Sequence, residues 1–276
     1  MSFKITTLIE NSADKDSGLE CEHGLSFFIE KDDVKILFDT GQSGKFLSNA
    51  EKLGVDLNCL DYVAISHGHY DHSGGFLELA SRFSGFELIT GTGFFEKKYG
   101  LKKQEYKYLG NSFTEEDLKA FNLLHRSVSE PVTHLGRGIY ILTAFPRVNS
   151  TEGINPRFKL EQGGELIADE FNDEILLAID TPKGIVVVMG CSHPGVRNML
   201  DAVKTYFQRP IHAVLGGTHL IEAGGKQLEE SVKYLSDERI ELLGVSHCTG
   251  KDAMSRLKES VPGYFHNLTG SIVILD

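Results

Sequence analysis

Four apolar runs in this 276-residue chain each break into a turn that carries histidine, and this pattern limits the possible folds more than any other feature. Leu60 to Ile65 runs into Ser66-His67-Gly68-His69-Tyr70-Asp71-His72-Ser73-Gly74-Gly75. Val186 to Met189 runs into Gly190-Cys191-Ser192-His193-Pro194-Gly195, Ile211 to Leu215 into Gly216-Gly217-Thr218-His219, and Leu242 to Val245 into Ser246-His247-Cys248-Thr249-Gly250. Short apolar runs bounded by glycine suit buried strands. In α/β folds the ends of such strands are where loops converge on a ligand. Asp39, at the end of Ile36-Leu37-Phe38, joins the set. A solvated polar loop explains one histidine in such a place, but not a repeat of the placement along the chain.

The first of these turns puts three imidazoles and one carboxylate within six positions, His67 to His72. His67 and His69 lie two apart where a strand ends, so both can turn toward one point, while Asp71 and His72 aim elsewhere. Divalent zinc takes imidazole nitrogen and carboxylate oxygen, usually with three protein ligands and an open position when the site is catalytic. One turn therefore supplies parts of two metal sites.

Around these turns the chain has an α/β rhythm. Ile5 to Ile9, Leu25 to Ile29 and Val34 to Phe38 form an antiparallel meander, with Lys31-Asp32-Asp33 as the turn between the last two. Helices are expected at Lys45 to Leu53 and Phe76 to Phe83, and a strand at Phe86 to Thr90. An irregular stretch then runs to about Asn172, with a helix whose start, Ser112-Phe113-Thr114-Glu115, has capping-box spacing. The second half alternates again: strands Glu174 to Ile179 and Gly184 to Met189, helix Val196 to Phe207, strand Ile211 to Leu215, helix Lys226 to Leu235, strand Ile240 to Val245, a short helix near Asp252 to Ser260, and strand Ser271 to Leu275. Each half has the strands for one sheet and helices to cover one face. The expected architecture is a four-layer αββα sandwich of two mixed sheets flanked by helices, folded as one domain over residues 1–276 with an insertion at about 94–172 that covers the site. A doubly wound single sheet fits the hairpin-rich opening less well.

Composition excludes several partners. A formal net charge of -11 gives no broad basic surface for nucleic acid. One local exception is Lys97, Lys98, Lys102, Lys103 and Lys107, interleaved with Phe94, Phe95, Tyr99, Tyr106 and Tyr108. They read either as a solvated helix face or as a basic aromatic lid over an anionic, ring-containing ligand. The chain opens without a charged segment followed by a long apolar one, and no run approaches the roughly eighteen apolar residues of a membrane span, so the expectation is a cytoplasmic protein with no membrane partner. The four cysteines, Cys21, Cys59, Cys191 and Cys248, are far apart and form no Cys-x-x-Cys pair, which suits reduced thiols.

With these motifs in place, the chain resembles the metallo-β-lactamase superfamily, whose signature is the His-x-His-x-Asp-His turn followed by strand-end ligands in this order. Asn11, Glu22-His23-Gly24, Phe38-Asp39-Thr40-Gly41, Gly190-Cys191-Ser192-His193, Gly216-Gly217-Thr218-His219-Leu220 and His247-Cys248-Thr249-Gly250 further resemble its subfamily of 7,8-dihydropterin-6-methyl-4-(ribofuranosyl)aminobenzene 5'-phosphate synthases. So does Gly138-Ile139-Tyr140 through Pro146-Arg147, although Ala144-Phe145 stands where that subfamily usually has Gly-Glu. The resemblance implies that His67, His69 and His193 hold a first metal and that Asp71, His72 and His247 hold a second, with Asp39 orienting the histidine turn. It implies Zn2+, as one or two ions, with Mn2+, Fe2+ or Mg2+ as alternatives. Asp71 and His219 are then the candidate catalytic groups, and Arg147 and His23 the candidate substrate contacts. Arg147 is singled out because a guanidinium holds two phosphate oxygens at once.

One departure has a chemical consequence. Many dinuclear members of the superfamily bridge their metals with a carboxylate from the strand end that here reads Gly216-Gly217-Thr218-His219. Without it, two divalent cations, one carboxylate from Asp71 and a bridging hydroxide leave about two excess positive charges. Such a site suits a small phosphate or diphosphate better than a neutral amide. Either a hydrolase or a transferase that releases pyrophosphate from a dihydropterin diphosphate can use these ligands. A thioester or lactone hydrolase and a non-catalytic metal-bound sensor are the alternatives. His219 reads as an extra ligand, a proton donor or a structural residue.

Overall fold

The computed structural model describes residues 3–276, which form two compact units. The first comprises the chain as far as Val128 together with Asn155–Asp173 and Leu268–Leu275. Its main sheet has seven strands in the order Ile272–Leu275, Phe3–Ile9, Ser26–Lys31, Val34–Phe38, Tyr62–Ala64, Glu87–Gly91 and Leu124–Val128. The first four pair antiparallel, through the meander, and the pairings from Val34–Phe38 onward are parallel. Parallel strands end on the same side, so Asp39 and the Ser66 to His72 turn leave neighbouring strands at one edge. Phe28, Leu37, Val63 and Leu88 pack on Phe46 and Leu47 of helix Lys45–Lys52 and on Phe76 and Leu79 of helix Phe76–Arg82. Each such fully buried side chain contributes about 1.5–3 kcal/mol.

The second unit comprises Ser129–Ile154, Glu174–Asn267 and Asp276. Its six-stranded sheet runs Leu242–Ser246, Ile211–Gly217, Gly184–Met189, Leu176–Thr181, Ile139–Leu142 and Val132–Gly136. The first three are parallel, so the turns that bear His193, His219 and His247 also leave from one edge. Val187, Val214 and Leu243 pack on the apolar stripe Val196, Met199, Leu200 and Val203 of helix Val196–Phe207, whose spacing is that of one helix face. This helix starts at Gly195, whose φ of 102° suits glycine. A Cβ there would lie 2.3 Å from Oε2 of Glu152. Glu152 instead accepts the N–H groups of Arg197 and Asn198 at 2.9 and 2.8 Å, which satisfies two donors that a helix start leaves open.

The stretch expected to be irregular contains seven strands. Lys98–Lys102 and Glu105–Tyr108 form a hairpin that joins Phe158–Gln162 and Glu165–Ala168 in a third, antiparallel sheet within the first unit. The lysine cluster therefore lies on a hairpin and not on a helix, and Lys98 is buried. The helix near 112 is real but starts two residues later than its expected cap: Thr114 caps Glu115–Ala120, with Asp117 closing the box onto the Thr114 N–H at 2.8 Å. Both Ser112 and Thr114 have an acid three residues on, so spacing alone could not choose between them. None of the helices among the described residues is long and apolar enough to cross a membrane.

Candidate metal centre

In the first unit, the strand Tyr62–Ala64 and the short helix Tyr70–Ser73 hold the histidine turn between them. His67, His69, Asp71 and His72 are all buried, and beside them Asp39 is fully buried with φ 62°, a left-handed conformation that few side chains other than glycine adopt. Its carboxylate accepts the Ser66 N–H at 2.7 Å on Oδ1, and on Oδ2 the Ser66 hydroxyl at 2.9 Å and Nδ1 of His72 at 2.7 Å. Having given its proton to Asp39, the Ser66 hydroxyl can only accept from Nδ1 of His67, 2.9 Å away. Both rings are thereby set in the tautomer that carries hydrogen on Nδ1, with a lone pair on Nε2.

His67 Nε2 and His69 Nδ1 face each other at 3.0 Å. Two imidazole nitrogens that bind one zinc ion at about 2.0–2.1 Å with near-tetrahedral angles lie roughly 3.3 Å apart, so this donor pair fits a single divalent ion. Burial, followed by the neighbouring His72 and His69 rings, holds His67 well below the ordinary histidine range, so it offers a neutral ring. On the other side of the turn, Asp71 Oδ2 lies 3.7 Å from His72 Nε2 and 3.2 Å from His23 Nε2. The His23 side chain is about half exposed, at 52%, which leaves it open to a ligand.

Behind the turn, the Gly68 N–H donates to Asp173 at 2.8 Å, and Phe171 sets its edge against the His67 and His69 rings at centroid distances of 6.1 and 5.3 Å. Neither contact is legible in the sequence, because both come from residues some hundred positions later.

In the second unit, Ser192 and His193 follow the strand Gly184–Met189, and both backbone N–H groups donate to Glu174, at 2.7 and 3.3 Å. Glu174 was visible only as an acid heading an apolar run. The His193 and His219 rings lie 4.2 Å apart, and His247 follows the parallel strand beside that of His219. Ser192, His219 and His247 all take left-handed backbone, with φ 62°, 51° and 54°. The Gly216-Gly217 step is closed to side chains: a Cβ would meet the Met189 carbonyl oxygen at 2.0 Å at Gly216 and the Cys248 sulfur at 2.5 Å at Gly217. No carboxylate can be accommodated at either position. Arg147 lies exposed in the segment after the strand Ile139–Leu142.

The family model of the metallo-beta-lactamase superfamily matches residues 19–190, well over half of the chain. The chain belongs to this superfamily. A Methanocaldococcus jannaschii protein named 7,8-dihydropterin-6-methyl-4-(beta-D-ribofuranosyl)-aminobenzene-5'-phosphate synthase is 29% identical over 99% of this chain and 96% of its own length. A second protein of that organism, described as uncharacterized protein MJ0448, is 30% identical over 98% and 99%. Among solved structures, Tm1679, described as a metal-dependent hydrolase of the beta-lactamase superfamily, is 32% identical and superposes with a TM-score of 0.86 over 98% of both chains. Zn2+-bound PqqB from Methylobacterium extorquens shares the fold at 13% identity, with a TM-score of 0.59 over 99% of both chains. The superfamily resemblance and the metallo-β-lactamase fold expected from the sequence are thus borne out, and the chain is a metal-dependent enzyme of that fold.

Proposed function

We propose that this enzyme acts on a small phosphate- or diphosphate-bearing molecule, with transfer from a dihydropterin diphosphate as the leading reaction. The observation that carries a metal-assisted reaction is the 3.0 Å approach of two buried imidazole nitrogens, His67 Nε2 and His69 Nδ1, the first on a ring that Ser66, itself bonded to Asp39, holds by its other nitrogen. In this reading His67, His69 and His193 hold one ion and Asp71, His72 and His247 hold a second, as in the superfamily, with zinc as the metal. Bound zinc supplies Lewis acidity toward phosphoryl oxygens and activates water.

The chain's own residues supply the rest. Five neutral imidazoles and one carboxylate leave a cationic centre, and the steric closure at Gly216 and Gly217 rules out a further carboxylate there. This supports an anionic substrate. Arg147 would hold phosphate oxygens in a bidentate grip, and His23, beside Asp71, would meet the substrate from the exposed side. His219, in ring contact with His193, would donate a proton to the departing oxygen. The likeness to the M. jannaschii synthase over nearly the whole of both chains supports transfer, and that to Tm1679 supports hydrolysis.

Mass spectrometry separates the two. Zinc-loaded protein is given 6-hydroxymethyl-dihydropterin diphosphate, with and without ribofuranosylaminobenzene phosphate, beside a His67→Ala control. A condensed product that the control does not make establishes the transferase. Release of phosphate or pyrophosphate alone points to a hydrolase of other phosphate esters. If a chelator leaves turnover unchanged, the metal-centred reading fails.

A further inference from the structure

Lys98 is only 1% exposed, and its ammonium donates to Asp169 Oδ2 and Asp173 Oδ1, both at 2.9 Å and both buried. The second oxygen of Asp173 accepts the N–H of Gly68 at 2.8 Å. Gly68 stands between His67 and His69, so this carboxylate grips the backbone at the point where the two rings diverge from the chain. The fit leaves no slack: a Cβ on Gly68 would lie 2.4 Å from the Phe94 carbonyl oxygen and 3.2 Å from Lys98 Cε. Phe171, between the two aspartates in sequence, lies 4.8 Å below the Lys98 ammonium, and its edge meets the His67 and His69 rings.

Three buried ionic groups are a poor way to gain stability, because desolvation offsets much of their attraction, and apolar replacements of similar volume often do as well. Burial alone would push Lys98 down, but Asp173 and Asp169 together more than offset it and the lysine stays charged. One lysine and two aspartates leave one net negative charge behind a turn whose side chains face a cation.

We propose that Asp173, anchored by Lys98, is a positioning residue that fixes the Gly68 peptide and so sets the direction in which His67 and His69 present their ring nitrogens. The proposal rests on the metal-centre reading of this turn. It predicts an asymmetry between the two aspartates that a merely structural ion cluster would not show. Both bond the same lysine, but only Asp173 bonds Gly68.

The test compares Asp173→Asn and Asp169→Asn with the unaltered protein. Zinc affinity is measured by competition with a chromophoric chelator, and the absorption spectrum of the cobalt(II)-loaded protein is recorded well below each variant's melting temperature. Asp173→Asn should bind zinc about ten- to hundredfold more weakly, the usual effect of losing a partner behind the ligands, and shift the cobalt bands. Asp169→Asn should stay within about threefold with an unshifted spectrum. Equal losses in both variants, or none in either, would overturn the proposal. Should Asp173→Asn fail to fold, Lys98→Met decides by the same two readings: weaker zinc binding with shifted bands supports the anchor, and unaltered values overturn it. If the unaltered protein itself takes up no zinc or cobalt, the metal-centre reading falls first.

Discussion

Nδ1 of His72 lies 2.7 Å from Oδ2 of Asp39, and both side chains are completely buried. An ionised carboxylate only accepts, so the ring proton sits on Nδ1 and the lone pair on Nε2 is directed away from Asp39. Asp39 also receives two hydrogen bonds from Ser66 and thereby reaches His67 indirectly. One carboxylate orients two rings of the turn. Replacing Asp39 with Asn, which retains the shape but removes the charge and offers a donor in place of an acceptor, should weaken zinc binding by about ten- to hundredfold. Chelator competition measures this directly, and unchanged affinity would contradict the orienting role.

Glu174 should serve the second unit in a parallel way. Its two oxygens receive the N–H groups of Ser192 and His193. Glu174→Ala leaves two buried donors unsatisfied, at about 1–3 kcal/mol each. Urea denaturation should show that loss, and Glu174→Gln, which retains one acceptor, should recover part of it. Full stability in the alanine variant would show that other groups satisfy these donors.

The Gly68 peptide tolerates no side chain. Gly68→Ala brings a Cβ against a backbone oxygen, where only backbone movement relieves the clash, and should cost about 1–3 kcal/mol together with loss of zinc binding. Gly153→Ala is the matched control, since a Cβ there meets nothing within 4 Å and φ is unremarkable. Parallel denaturant titrations would expose the difference, and two equally stable variants would be the contrary outcome.

Stability should fall as the metal-free protein is acidified from pH 7.5 to 5.5. Burial holds His125 and His212 below the ordinary value of 6.5, against the opposing pull of Glu115 and Glu87 at the first and Glu241 at the second. Below 6.5 these two histidines bind more protons in the unfolded chain than in the folded one, so the stability they contribute above that pH is lost as it falls. Melting temperature against pH should therefore slope upward across this window, and less steeply in His212→Gln. A flat profile, or an unaltered slope in the variant, would be evidence against this linkage.

Most of the fold was legible because its elements announce themselves locally. The stripe Val196, Met199, Leu200 and Val203 marks a helix whose bounds match the expected ones at both ends. The site was legible as far as its side chains are carried by strand-end turns with repeated histidines. What lay beyond reach was partnership across long separations. Lys98 looks in sequence like any member of a surface lysine cluster, and only the third sheet brings it to Asp169 and Asp173, 71 and 75 positions later. The same holds for Ser66, whose hydroxyl acquires its role only once Asp39 and His67 flank it. The hairpins of the 94–172 stretch escaped because their strands alternate weakly, with Glu105–Tyr108 exposed throughout.

The left-handed backbone at His219 and His247 sets working geometry against durability. A non-glycine residue held there costs about 1–2 kcal/mol, a tension that glycine would relieve at once. At the partly buried His219, thermal endurance would therefore favour a chain that has given up the imidazole. Selecting variants for thermal endurance alone would strip from this chain the ring that meets His193.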